Sequence, residues 1–173
     1  MNEIFLMLED SPNDQKLIQR AIKAAYPAAQ IEVYDHLASF YQRIKEGPVP
    51  DIVLSDYNLP DGNGLSALLM VKKKFPDVPF VFVTGMLNDE EQVARSILEG
   101  ASEYILKQNL HRLPERLRKI LEVSAAERER NRQKEIAQEE QLRNLNLLEK
   151  LLQEATFKNK DQIIRIIQQI KSV

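Results

Sequence analysis

The sequence predicts an α/β fold: a doubly wound, five-stranded parallel sheet covered by helices on both faces, followed by a helical, coiled-coil extension. Three observations predict it. Short apolar runs alternate with longer segments of 3.6-residue periodicity from residue 4 to about residue 107. Several of those runs are apolar at successive positions, as strands buried on both faces must be. After Leu121 the chain changes to a charged stretch in which residues 122–160 hold no glycine or proline.

The first run, Ile4 to Leu8, closes on Glu9-Asp10. It has no basic flank and no small-residue cleavage site, so it reads as a buried strand, not a secretory signal. Ser11-Pro12-Asn13-Asp14 then offers caps and a proline ahead of Leu17, Ile18, Ala21, Ile22 and Ala25, the stripe of a first helix. Gln30 to Tyr34 is a second strand, and Leu37, Phe40, Tyr41 and Ile44 mark a second helix. The third strand, Asp51 to Ser55, runs into Asp56. Leu65, Leu68 and Leu69 lie on a third helix that leaves through Lys72-Lys73-Lys74, cations suited to a helix's negative end. Phe80 to Val83 is the fourth strand, ending in Thr84-Gly85. Asn88-Asp89-Glu90 starts a fourth helix carrying Val93, Ala94, Ile97 and Leu98, closed by Gly100. Tyr104 to Leu106 is the fifth strand, followed by Lys107. Asn109 is expected to cap a fifth helix with Leu110, Leu113, Leu117, Ile120 and Leu121 inward. Strands and helices in this alternation require right-handed crossovers.

The expected organisation is a domain over residues 1–121, a charged amphipathic helix over 122–157 and a short amphipathic helix over 158–173. Leu142, Leu145, Leu148 or Glu149, and Leu152 recur at spacings of three and four. Pairing with a second copy or with another helix would cover that stripe, and a homodimer through the C-terminal helix is expected. Lys158-Asn159-Lys160-Asp161 reads as a break. Asp161 would cap a last helix with Ile163, Ile166, Ile167 and Ile170 on one face, widened by Ile164.

Composition narrows the function. Hydrophobic residues make up 43% of the chain and charged ones 29%, as in folded proteins. Twenty-four basic and 26 acidic side chains leave a net charge of -2, which gives no general attraction to nucleic acid or anionic lipid. The tail interleaves its ten basic groups with nine acidic ones and reads as a solvated helix. No cysteine is present, which excludes thiolate nucleophiles and cysteine-bound metals. No apolar stretch is long enough to span a bilayer, and the expected address is cytoplasmic.

In a parallel sheet the reactive cleft lies beyond the carboxyl ends of the strands. Glu9-Asp10, Asp56, Thr84 and Lys107 each follow or end a strand, so they converge there. Singly, each has an ordinary reading as a cap, a turn or a surface residue; jointly they describe a site. Three crowded carboxylates repel unless a cation neutralises them, and an all-oxygen set suits magnesium, with manganese as a substitute. Asp56 can then act as nucleophile towards a phosphoryl group, with Lys107 and Thr84 as donors to its oxygens. His36 and His111 lie in helical segments without metal-ligand spacing. Ser11, Ser39 and Ser55 lack an activating histidine.

These residues resemble the receiver domain of two-component response regulators, over roughly residues 3 to 121. The resemblance rests on Glu9-Asp10, on Asp56 with Leu59-Pro60-Asp61-Gly62-Asn63-Gly64, on Thr84-Gly85, and on Gly100-Ala101-Ser102-Glu103-Tyr104-Ile105-Leu106-Lys107. It implies a flavodoxin-like receiver fold of strand order 2-1-3-4-5. It implies that a sensor histidine kinase or phosphotransfer protein donates from phosphohistidine to Asp56. Asp10, Asp56 and the backbone carbonyl of Asn58 would ligate Mg2+, with Glu9 helping through water. Thr84 and Tyr104 match a switch pair, and Asn58 and Met86 match positions that tune hydrolysis. Lys107-Gln108 departs from the Lys-Pro of many members. The stretch from Leu106 to Pro114 before a charged helix resembles a subgroup in which a receiver leads into a sensory or histidine-kinase module, and no such module is visible here.

The expected function is therefore a phosphoacceptor that promotes its own aspartyl phosphorylation and dephosphorylation without being an independent enzyme. It would relay the signal by protein interaction, through the face made by helix four, strand five and helix five and through the C-terminal helix. The alternative is a receiver-like scaffold, never phosphorylated, that acts through its helical tail. An independent hydrolase would need a further acid-base group and a substrate pocket, and neither is visible.

Overall fold

The computed structural model describes residues 3–85, 90–154 and 160–171. Five strands, β1 (Ile4–Leu8), β2 (Gln30–Tyr34), β3 (Ile52–Ser55), β4 (Phe80–Thr84) and β5 (Glu103–Leu106), pair in parallel in the order β2-β1-β3-β4-β5. The doubly wound sheet and its expected order are both present. Register fixes where the strands stop. Leu8 sits beside Ser55, so the next residues, Glu9 and Asp56, leave adjacent strands at the same level. Thr84 sits beside Leu106, directly before Lys107.

Alternation along the strands splits the core between two faces. Leu6, Leu8, Val53, Phe80 and Phe82 point to one side, where α2 (Leu37–Glu46) and α3 (Gly64–Lys74) add Phe40, Ile44, Leu65, Leu68 and Val71. Phe5, Met7, Ile52, Leu54, Val81 and Val83 point to the other, covered by Ile18 and Ile22 of α1 (Pro12–Ala25) and by Leu113, Leu117 and Leu121 of α5 (Leu113–Glu154). Burying a leucine stabilises by roughly 2 kcal/mol, so three of them dock the start of α5 firmly. Ser124, three residues further on, is also buried and donates to the Asp77 carbonyl at 3.3 Å.

Several details depart from the sequence reading. The fifth helix does not start at Asn109, which sits inside a 3-10 turn over Lys107–Arg112 with φ -107° and ψ 21°. Pro114 sets the start instead: its missing N–H is tolerated only in a first turn. Leu17 and Leu69 face solvent, and Ala67 and Val71 take inward positions on α3. On α4 (Glu90–Leu98) the apolar stripe is turned outwards: Ala94 and Ile97 are exposed and Leu98 is 88% exposed, whereas Ser96 is buried. His36 precedes α2 as its N-cap residue, and His111 lies in the 3-10 turn. Met86, Asn88 and Asp89 lie outside the described residues.

The chain divides into two compact units, Met1–Ala126 and Glu127–Val173. In the second, α5 continues to Glu154 and α6 spans Lys160–Lys171. Asp161 lies within the first turn of α6 and is not its cap. Ile167 is buried and Ile164 half-buried, while Ile163 and Ile166 are exposed, so the covered side is narrower than the isoleucine spacing suggests. Lys158, Asn159 and the side chain of Ile170 lie outside the described residues.

Candidate functional site

β1 and β3 deliver the acids. Asp56 N–H donates to the Leu8 carbonyl at 2.9 Å, which holds residue 56 against the end of β1. Carboxylate oxygens of Glu9, Asp10 and Asp56 come within 4.8 Å of one another. Glu9 is fully buried, Asp56 is buried and Asp10 is exposed, so the group opens to solvent on the Asp10 side. Asp56 Oδ1 accepts the backbone N–H groups of Tyr57 at 2.6 Å and Asn58 at 3.3 Å, which fixes the carboxylate plane. Asn58 also pairs with Asn63 in a two-residue ladder, Asn58–Leu59 against Gly62–Asn63.

Lys107, at the end of β5, reaches into this group. Its Nζ lies 2.7 Å from Asp56 Oδ2, 2.7 Å from Asp14 Oδ2 and 3.0 Å from Glu9 Oε1. Burial opposes the ammonium charge, but bonds from Asp14, Asp56 and Glu9 outweigh it and hold Lys107 above the ordinary lysine value. Burial pushes the Glu9 carboxyl up, against the pull of Lys107, and the Asp56 charge adds to the push.

Two buried side-chain atoms have no partner in hydrogen-bonding geometry among the described residues: Glu9 Oε2 and Thr84 Oγ1. Glu9 Oε2 is 2.8 Å from Lys107 Nζ as an ion pair, but the angle is not that of a hydrogen bond. Buried oxygens left this way are costly unless something else engages them. Thr84 ends β4 beside Tyr104, whose ring packs on Phe82 with centroids 5.5 Å apart. Burial raises the Tyr104 phenol, and the Tyr57 and Asp56 charges add to this against the pull of the Thr84 hydroxyl.

All the residues expected at the rim, Glu9, Asp10, Asp56, Asn58, Thr84 and Lys107, stand there with Tyr104 beside them. Asp14, part of the expected cap, also binds Lys107. The available signal was its place in the first turn of α1, which starts directly after the Glu9-Asp10 strand end. Asp61, in the loop after Asp56, has an unexpected role: its Oδ2 accepts the Leu37 N–H at 2.9 Å and so caps α2, which the His36 side chain does not.

A doubly wound sheet with an acidic cluster, a strand-end threonine and a lysine at its carboxyl rim is the arrangement of a receiver-type domain. The family comparison agrees, and the chain belongs to the response regulator receiver domain family, whose model matches residues 5–121. Regulatory protein LuxO of Vibrio cholerae is 40% identical over 58 residues, 34% of this chain and 12% of LuxO. The chain therefore matches only a small part of that relative's length. A CheY-like receiver domain protein from Methanospirillum hungatei has the same fold, with a TM-score of 0.66 at 22% identity over 73% of this chain and 99% of that one. The Mn(2+)-bound form of response regulator Rcp1 aligns with a TM-score of 0.56 at 25% identity over 65% of this chain and 89% of that one. No helix among the described residues is long and apolar enough to cross a membrane.

Proposed function

We propose that the chain accepts a phosphoryl group from a phosphohistidine donor onto Asp56, with Mg2+ or Mn2+ at the acidic cluster, and passes the signal on by protein interaction. The observation that carries this reading is the meeting of three carboxylates within 4.8 Å of each other with Lys107 at 2.7 Å from the acceptor. An Asp56 carboxylate oxygen forms the new bond to phosphorus. The bond from phosphorus to the donor imidazole breaks, and the imidazole nitrogen keeps the electron pair.

The donor set fits a hard divalent cation, since it is all oxygen and one of its buried atoms, Glu9 Oε2, lacks a hydrogen-bond partner. Asp10, Asp56 and the Asn58 backbone carbonyl would hold the ion, with Glu9 acting through water. When bound, the cation neutralises charge and polarises phosphoryl oxygens. Lys107 and Thr84 donate to the transferred group. Moving Thr84 inwards leaves space for the half-buried Tyr104 ring, which alters the face of α4, β5 and α5. Partners of this kind are a sensor histidine kinase or phosphotransfer protein, acting in the cytoplasm. The C-terminal helix pairs two copies of the chain.

Intact-mass measurement after incubation with Mg2+ and acetyl phosphate tests the reading. Wild type gains one phosphoryl group and Asp56→Asn gains none. Uptake by neither would move the function to the helical tail.

A further inference from the structure

Three carboxylates take up the Lys107 ammonium, and one of them stands apart. Asp14 Oδ2 is as close to Nζ as Asp56 Oδ2, both at 2.7 Å, against 2.8 and 3.0 Å for the two Glu9 oxygens. An ammonium has three N–H donors, so these partners use all of them. Glu9 and Asp56 also belong to the set of oxygens that converges with Asp10; Asp14 does not. Asp14 stands in the first turn of α1, where the helix's positive end favours a carboxylate, and its side chain is 30% exposed.

A carboxylate oxygen committed to a divalent cation is a weaker acceptor for a neighbouring ammonium. A cation held directly by Asp56 and through water by Glu9 therefore loosens two of the three anchors of Lys107 and leaves the third intact. The backbone offers no rigid substitute. Gln108 follows Lys107 without the fixed φ of a proline, and the 3-10 turn that begins there contains a residue off helical angles. That turn packs against α1, which brings Lys107 beside Asp14.

We propose that Asp14 is the positioning residue that keeps Lys107 Nζ in the acidic pocket when a divalent cation draws on Glu9 and Asp56. With one N–H on Asp14, the ammonium retains two for phosphoryl oxygens at Asp56. That consequence, unlike the contact itself, rests on the function proposed above. Asp14 lies outside the converging carboxylate set and bonds Lys107, through which it acts.

A double-mutant cycle on the full chain tests the contact. Asp14→Asn, Lys107→Met and the double variant are unfolded in urea, once with a chelator and once with saturating Mg2+. Asn keeps the shape of the side chain and the helix start. In both conditions Asp14→Asn raises the unfolding equilibrium constant about fivefold beside Lys107, and less than about twofold beside Met at residue 107. A parallel cycle with Glu9→Gln shows coupling that shrinks when Mg2+ is added. An Asp14–Lys107 coupling that vanishes with Mg2+, or an Asp14 effect equal in both backgrounds, overturns the proposal. The second arm measures phosphoryl uptake from acetyl phosphate. Asp14→Asn lowers the maximal rate about tenfold, keeps the half-saturating Mg2+ within about twofold of wild type, and Asp14→Glu recovers part of the loss. If wild type takes up no phosphoryl group, the function reading fails and the unfolding cycle alone decides the role of Asp14. If wild type is phosphorylated and Asp14→Asn is equally fast, the positioning role is overturned.

Discussion

Gly64 passes so close to the Asp56 backbone that a Cβ at residue 64 would lie 2.3 Å from the Asp56 carbonyl oxygen. The same atom would meet Phe82 Cε1 at 2.8 Å and Ser55 Oγ at 3.0 Å, and Gly64 N–H already donates to the Tyr57 carbonyl at 2.7 Å. Backbone cannot move aside as the end of a side chain can. Gly64→Ala is expected to destabilise the domain by about 1–3 kcal/mol, read as a lower urea midpoint. Phosphoryl uptake should slow as well, because the loop that orients the Asp56 carboxylate is displaced. An Ala variant with wild-type stability would show that the loop has slack.

Asp61 makes a different kind of link, since it ties the loop after Asp56 to the start of α2 through the Leu37 N–H. His36, at the N-cap position, makes no side-chain bond of its own there. Asp61→Ala should cost about 1 kcal/mol, the usual loss when an N-terminal helix donor goes unpaired. Asp61→Asn keeps an acceptor and should lose less than half of that. Equal losses in thermal unfolding would mean that charge, not capping, is what matters.

Glu9 carries a pH signature. Burial raises its carboxyl above the ordinary value of 4.5, so the folded chain binds that proton more readily than the unfolded one. Stability from this group is greatest in acid and is lost as pH rises from the ordinary value through the raised one. Glu9→Gln removes that loss. Without divalent cation, the variant's urea midpoint should gain on wild type as pH rises from about 4.5 and level off once wild-type Glu9 is ionised. Saturating Mg2+ should narrow or reverse the difference, because only wild type offers the ion a charged Glu9. A gap that is constant with pH would remove burial as the cause.

Strand positions were legible because runs such as Ile52 to Ser55 have no polar side for solvent. The acidic rim was legible for the same reason: once the strands are parallel, their ends are level. What the sequence hides is which of two overlapping faces a helix buries. Ile97 and Leu98 fit a helical stripe as well as Val93 does, yet they point outwards. Polar residues that act across long separations are equally hidden. Asp14 satisfies a local capping pattern while binding a lysine 93 residues away. Asn109 has the right residue type for a cap, but Pro114 decides where the helix begins.

The tail provides the last test. Leu142 and Leu148 are 49% and 51% exposed, and Leu145 and Leu152 are half-buried. Covering such leucines between two copies gains roughly 1–2 kcal/mol for each, and association entropy removes much of the sum. With about two heptads of seam, the pairing should be weak, in the micromolar range. Sedimentation equilibrium of the full chain should show a monomer–dimer equilibrium, and Leu142→Glu with Leu148→Glu should leave monomer alone. Both positions belong to the unit Glu127–Val173 and the acidic rim belongs to the unit Met1–Ala126, so the same variant should still take up a phosphoryl group at the wild-type rate. A chain that stays monomeric at about 100 μM would show that the leucines are covered by something other than a second copy.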